Sequence, residues 1–299
     1  MSASLAATAS PVPPSFRRLL YKPVLLIIPT LLLLCLFFVL PYLNMVVMSF
    51  REPSTTAVFG EGYTIENYRQ ALTDTYYLGV LLKTILLGVG VSVVCLILAY
   101  PVAFHLARSD TKWKGLLYAC VLSPLLVGVV VRCYGWIILL ANKGLINQLL
   151  VKTHLFDSGV KLMYNLFGVG IGLVHVFLPF MILPLISAIQ SINPALEEAA
   201  RSLGASRTRT FLRILLPLSL PGIQSGVILV FMLTISAYVI PILLGAFAVK
   251  IMPTITIQLL VDAFLWPFGA ALALILSVTG ALCVVAFIRM SDRFMKGIM

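Results

Sequence analysis

The sequence predicts an all-α integral membrane bundle of six transmembrane helices with both termini in the cytoplasm. Three observations carry this expectation. Of 299 residues, 61% are hydrophobic and 10% charged, at a mean hydropathy of +1.09, whereas soluble domains are about half apolar and about a quarter charged. Six apolar stretches each exceed the roughly 20 residues that cross a bilayer core. The basic residues gather in alternate loops, as in cytoplasmic loops of membrane proteins.

The stretches run Val24–Met48, Leu78–Leu106, Gly115–Ala141, Leu166–Gln190, Leu220–Gly245 and Pro267–Ile288, and none alternates like a barrel strand. The first follows Arg17, Arg18 and Lys22. It is longer than the roughly 7–15 apolar residues of a signal-peptide core, so it reads as a retained helix. The Ala-, Ser- and Pro-rich segment before it has too little apolar surface to fold alone.

Charge sets the orientation. The tail, the second-to-third loop (Arg108, Lys112, Lys114), the fourth-to-fifth loop (Arg201, Arg207, Arg209, Arg213) and the C-terminal end (Arg289, Arg293, Lys296) hold 13 basic residues. Four acids, Asp110, Glu197, Glu198 and Asp292, oppose them. The opposite side carries Arg51, Arg69, Lys143, Lys152, Lys161 and Lys250, balanced by six acids. This places both termini inside. The chain then divides into an N-terminal tail (1–23), a transmembrane domain (24–290) that includes a cytoplasmic loop (191–219), and a C-terminal tail (291–299). A nucleic-acid partner is not expected, because the net +11 is spread over short loops with no basic arm.

Several chemistries have no residues to support them. There is no G-x-x-x-x-G-K-[ST] loop to cradle a nucleotide, and no H-E-x-x-H or C-x-x-C pair to hold a metal. Neither a catalytic centre nor a metal site is expected. All five cysteines fall in the apolar stretches and read as packing residues. Gly168 with Gly172, and Gly222 with Gly226, have the spacing that lets helices approach closely. Prolines within the stretches (Pro101, Pro124, Pro179, Pro184, Pro241) fit broken helices around a pathway or bends in a static bundle.

The informative segment is Ser191–Pro221. Asn193 suits an N-cap, Pro194 the first helical position, and Glu197 and Glu198 the positive end of a helix dipole. Leu196, Ala199, Ala200 and Leu203 follow at helical spacing as an apolar face. Gly204 is placed for a left-handed cap. Ser206 opens a second short helix, with Phe211, Leu212, Leu215 and Leu216 on its apolar side and Pro217 ending it. Such a helix–glycine–helix elbow has too little core to stand alone. Its alanine face suits a partner's groove; with Arg207, Arg209 and Arg213 it equally suits an anionic lipid surface.

Glu198-Ala199-Ala200, three residues, Gly204, nine residues, Ile214, one residue, then Leu216-Pro217 resembles the EAA signature of ATP-binding-cassette importer permeases. The resemblance implies the type I importer permease fold. It implies that Glu197, Glu198, Ala199, Ala200, Leu203, Gly204, Ile214, Leu216 and Pro217 form the coupling loop, whose first helix docks on an ATPase subunit. ATP and Mg would then be bound by that separate partner, and this chain would need no cofactor of its own. The implied partners are two ATPase subunits, a second and different permease, a periplasmic solute-binding protein and membrane lipid.

A looser likeness runs from Asn67 to Ala271: Asn67-Tyr68, Tyr100-Pro101, Arg132 with Tyr134-Gly135, Lys143-Gly144-Leu145-Ile146-Asn147, and Trp266-Pro267-Phe268-Gly269-Ala270-Ala271. It resembles the spermidine/putrescine branch, which implies a polyamine or related small organic solute carried across the inner membrane by alternating access. The charge pattern gives this cargo no support, since no carboxylate lies in the six stretches. Arg132, Tyr134, His175, Ser236 and Tyr238 are candidates for the solute path, with interhelical hydrogen bonding the competing role for each. Two other functional classes remain at this level: a gradient-driven secondary transporter, which would favour internal repeats and membrane carboxylates, and a non-transporting scaffold.

Overall fold

The computed structural model describes residues 23–54, 59–109, 111–154, 156 and 158–296. The tail up to residue 22, with Arg17, Arg18 and Lys22, lies outside the described residues, as do Asp110, Asp157 and residues 297–299. The described chain is helical; its only β feature is an isolated antiparallel bridge between Arg51 and Tyr63.

Helix α1 comprises Pro23–Leu34, a π-helical turn Cys35–Val39 and Leu40–Ser49. A short α2 (Glu66–Thr73) precedes the long α3 (Thr75–Arg108), which Asp74 caps by accepting from the Tyr76 N–H at 2.8 Å. Then come α4 (Lys114–Leu126), α5 (Val129–Leu140), α6 (Leu145–Lys152) and α7 (Leu166–Ser191). Asn165 caps α7 through the Gly168 N–H at 2.8 Å. The elbow supplies α8 (Ala195–Ser202) and α9 (Arg207–Leu218). Beyond it lie α10 (Leu220–Ile235), a π turn Pro241–Gly245, α11 (Met252–Asp262) and α12 (Trp266–Lys296).

Two predicted stretches are not continuous helices. Gly115–Ala141 breaks between α4 and α5. Pro124 removes a backbone donor near the end of α4, and Gly128 takes an extended conformation (φ −56°, ψ 141°) before α5 restarts. Leu220–Gly245 ends as a helix at Ile235; Ser236–Tyr238 is non-helical, and Pro241 opens a new turn bent 83° from α11. Among the described residues, five helices are long and apolar enough to cross a membrane, or up to seven when each bent pair counts as one span. The six stretches therefore do not map one to one onto six straight helices.

The core lies where α3, α7 and α10 pack together. On α3, Cys95, Ala99 and Ala103 recur every four residues as a fully buried stripe of small side chains. They share a cluster with Leu173, Met181, Leu185 and Ile189 of α7 and Val230 of α10. The predicted Gly222/Gly226 approach is present. A Cβ on Gly222 would lie 2.9 Å from Pro184 O, and one on Gly226 would lie 2.6 Å from Met181 Sδ, so α10 sits directly on the α7 backbone.

Three buried hydroxyls are satisfied within their own helices, Thr84 by Val80 O (2.7 Å), Ser92 by Gly88 O (2.8 Å) and Thr234 by Val230 O (2.7 Å). Thr84 Oγ1 also accepts the Met252 N–H at 2.9 Å and ties α11 to α3. Of the five free cysteines, Cys95 and Cys133 are buried as packing residues, while Cys35 and Cys120 are exposed on the apolar surface. The most hydrophobic window of α1 has no buried residue and exposes Leu32, Phe37 and Phe38. Such a surface suits lipid, not water.

Candidate functional site

The elbow forms as its residues dictate. Asn193 Oδ1 accepts from the Ala195 N–H at 3.0 Å, and Pro194 is already helical at φ −57°, ψ −29°. At the far end of α8, Gly204 has φ +83°. The Gly204 N–H donates to Arg201 O (2.9 Å), and the Ala205 N–H to Ala200 O (3.0 Å). This paired closure is a Schellman motif, and it requires the left-handed backbone that glycine adopts without strain. Ser206 Oγ then accepts from the Arg209 N–H at 3.3 Å and starts α9.

Leu196, Glu198 and Ala199 are exposed, Ala200 is half-buried, and Leu203 is 89% exposed. The outer face of α8 is thus small, partly apolar and unpartnered among the described residues. Ile214, Leu216 and Pro217 are half-buried on α9, where Thr210 and Leu215 face the interior.

Two details differ from the sequence reading. Pro217 does not stop the second helix, which continues to Leu218. In the π turn just before it, Leu216 N–H donates to Phe211 O five residues back, which widens the helix where the proline ring must sit. The chain bends 65° at Ser219 instead. The second difference concerns Glu197, which faces away from the outer surface. It is 7% exposed, with Oε1 2.8 Å from Arg108 Nη2 at the end of α3.

The five path candidates are not gathered in one site. His175 accepts from Trp136 Nε1 at 3.2 Å, the rings edge-on at 5.6 Å. It lines two almost wholly apolar cavities. One, of about 540 Å³, lies among α3, α4 and α7 and includes Pro101, His105, Pro124 and Pro179. The other, of about 590 Å³, includes Leu86, Trp136 and Phe167. Arg132 is half-buried, and its Nε and Nη1 have no hydrogen-bond partner among the described residues. Tyr134, two residues on, is exposed. Ser236 Oγ bonds back to Met232 O (2.9 Å), and Tyr238 sits in the break after α10. The sequence reading does not single out Arg108 or Tyr100 as contacts of the elbow, where Arg108 meets Ile192 and Glu197, and Tyr100 meets Phe211 and Ser219. Arg108 registered only as one of the cytoplasmic charges, and Tyr100 only as part of a family likeness.

Residues 5–297 match the family of binding-protein-dependent transport system inner membrane components. The chain is 35% identical over 264 residues, 88% of its length, to the spermidine/putrescine transport system permease protein PotB of Escherichia coli strain K12, covering 95% of that protein. Its fold is similar to a chain of a bacterial ABC transporter that imports the acidic polysaccharide alginate. The TM-score is 0.71 at 19% identity, over 93% of this chain and 97% of that one. A structure of a bacterial alginate ABC transporter in complex with an alginate pentasaccharide-bound periplasmic protein gives 0.70 at 18%, over 94% and 97%.

Proposed function

The chain belongs to the family of binding-protein-dependent transport system inner membrane components, and we propose that it imports polyamines such as spermidine and putrescine as one half of a permease pair. It is a multi-pass inner-membrane permease subunit of an ATP-binding-cassette importer, not an enzyme. A periplasmic solute-binding protein delivers the cargo. In this reading both termini are cytoplasmic, six spans make the permease unit, a second and different permease completes the pathway, and two ATPase subunits bind ATP and Mg.

The observation that carries the coupling role is the outer face of α8. It presents Leu196, Glu198, Ala199 and Leu203 on a helix held at both ends by its own caps. A capped helix with an exposed alanine and two exposed leucines fits a cleft in a partner protein better than a lipid surface, where a broader apolar face would be needed. ATP-driven closure of the ATPase pair draws the two elbows together and opens the bundle outward; hydrolysis reverses the movement. Glu198, Ala199, Ala200, Leu203 and Gly204 form the docking element, and Ile214, Leu216 and Pro217 seat it on the bundle. The solute path runs by Arg132, Tyr134, His175, Ser236 and Tyr238, with the non-helical break at Ser236–Tyr238 the segment best able to change shape. Membership of the family removes the gradient-driven alternative.

The test is docking itself. Ala199→Arg places a long charged side chain on the exposed face of α8. It is expected to abolish co-purification of the ATPase without loss of the membrane-inserted chain; unchanged co-purification would refute the docking role.

A further inference from the structure

Both feet of the elbow stand on one helix. Where α7 ends, the Ile192 carbonyl accepts from Arg108 Nη1 at 3.0 Å. One turn into α8, Glu197 Oε1 lies 2.8 Å from Arg108 Nη2. The guanidinium of the last residue of α3 therefore bridges the end of α7 and the start of α8, across the Ile192–Pro194 link. Where the elbow re-enters the bundle, Ser219 Oγ is 2.9 Å from Tyr100 OH, again on α3. Phe211 of α9 packs edge-on against the Tyr100 ring at 5.2 Å and 85°. Tyr100 and Arg108 are eight residues apart, about 12 Å along the helix axis.

The bridge is enclosed. The Arg108 and Glu197 side chains are 18% and 10% exposed. The Nη2–Oε1 approach is charge pairing without an aligned N–H, since neither atom completes a hydrogen bond among the described residues. Burying two charges is costly, and an apolar pair of similar volume would serve packing as well. The guanidinium contributes direction instead: Nη1 donates one aligned bond to the helix-terminal Ile192 carbonyl, while the same rigid planar group holds the Glu197 carboxylate by charge.

We infer that Arg108 is a positioning residue for coupling: through Glu197 and the Ile192 carbonyl it locks the orientation of α8 to α3, and the Tyr100–Ser219 contact ties the returning leg to the same helix. Displacement of α8 then moves α3 as one body with the elbow, and α3 carries it into the core it shares with α7 and α10. The inference rests on the reading of α8 as the ATPase-docking helix.

The complete importer, with its ATPase, second permease and binding protein, is reconstituted in liposomes, and spermidine uptake is measured per ATP hydrolysed. Glu197→Gln keeps the side-chain shape and removes the charge; Arg108→Met keeps the length of the stem. Each is expected to lower uptake per ATP by about tenfold, within the usual range of coupling energies, while the ATPase subunits stay attached. Arg108→Lys, which keeps the charge and loses the fork, is expected to fall between. The swap Arg108→Glu with Glu197→Arg is expected to recover part of the loss. Uptake per ATP within about twofold of the parent for both single variants would overturn the proposal; so would loss of ATPase attachment, which would make the pair a docking or folding element. Ala199→Arg separates the two readings. If it leaves the ATPase bound, the docking role fails. If it detaches the ATPase while Glu197→Gln keeps normal uptake per ATP, only the positioning role fails.

Discussion

Trp136 on α5 donates its indole N–H to His175 Nδ1 on α7 at 3.2 Å, and the two rings meet edge-on. This contact closes one side of the apolar cavity that both residues line. It gives His175 a structural partner and takes up the nitrogen that faces Trp136. The acceptor role assigns the remaining ring hydrogen of a neutral imidazole to Nε2.

The pair should act as a bolt between α5 and α7. Trp136→Phe is expected to lower thermal stability in detergent by the worth of one interhelical hydrogen bond, about 0.6 kcal/mol and no more than about 1.7 kcal/mol. Uptake affinity for spermidine should stay unchanged. A large rise in KM with unaltered stability would instead show that the bond serves to orient His175 towards the solute and does not bolt the helices together.

Gly204 is limited by its backbone alone. At φ +83° a Cβ would meet nothing within 4 Å, so the cost of a side chain is the left-handed conformation, about 1–2 kcal/mol. Gly204→Asn, which tolerates that region, is expected to retain most uptake. Gly204→Val is expected to unwind the end of α8 and lose binding-protein-stimulated ATP hydrolysis. Equal activity of the two variants would show that the cap does not set the position of the docking face.

Gly222 and Gly226 differ in what they press against. Beside Gly226 the obstacle is the flexible Met181 thioether, whereas beside Gly222 it includes the Pro184 carbonyl. Gly222→Ala is therefore expected to destabilise the bundle by about 1–3 kcal/mol. Gly226→Ala should cost less and be relieved by Met181→Ala. Thermal unfolding in lipid nanodiscs reads both; the reverse order would mean that α7 yields more easily than its backbone contact suggests.

Leu203 stands almost fully in the open on the elbow. A leucine this exposed among the described residues contributes little to folding, so Leu203→Glu is expected to leave the melting temperature unchanged and weaken ATPase co-purification. A fall in stability with normal co-purification would place Leu203 against lipid or the chain itself.

The elbow was legible because its determinants are local. Asn193, Gly204 and Ser206 each act on backbone groups within three residues, and the structure closes each cap where the sequence implies it. The span count was less legible, because apolar composition does not reveal where a helix breaks. Gly128 and the Ser236–Tyr238 break sit inside stretches that are apolar enough overall to read as single spans. The bridge from Arg108 to Glu197 was not legible at all. It joins residues 89 positions apart, and each alone reads as an ordinary loop charge.

Some residues that marked the family likeness have plain structural work. Asn67 donates to Ser49 O and Arg51 O, both at 2.9 Å. Asn147 bonds Ala141 O and Val160 O while accepting from the Val160 N–H. Both hold loops that connect helices, so they carry information about the fold and none about cargo. The path candidates stay dispersed within this chain, which fits the proposal that a second permease completes the pathway.

The most direct test is ATP-dependent uptake of radiolabelled spermidine by the reconstituted importer in proton-leaky liposomes, with the parent chain and with Ala199→Arg. Uptake that requires ATP and the loaded binding protein, and is abolished by Ala199→Arg, is the predicted result. Spermidine uptake without ATP, or full ATP-driven uptake by the variant, would contradict the assignment of α8 as the element through which ATP drives this permease.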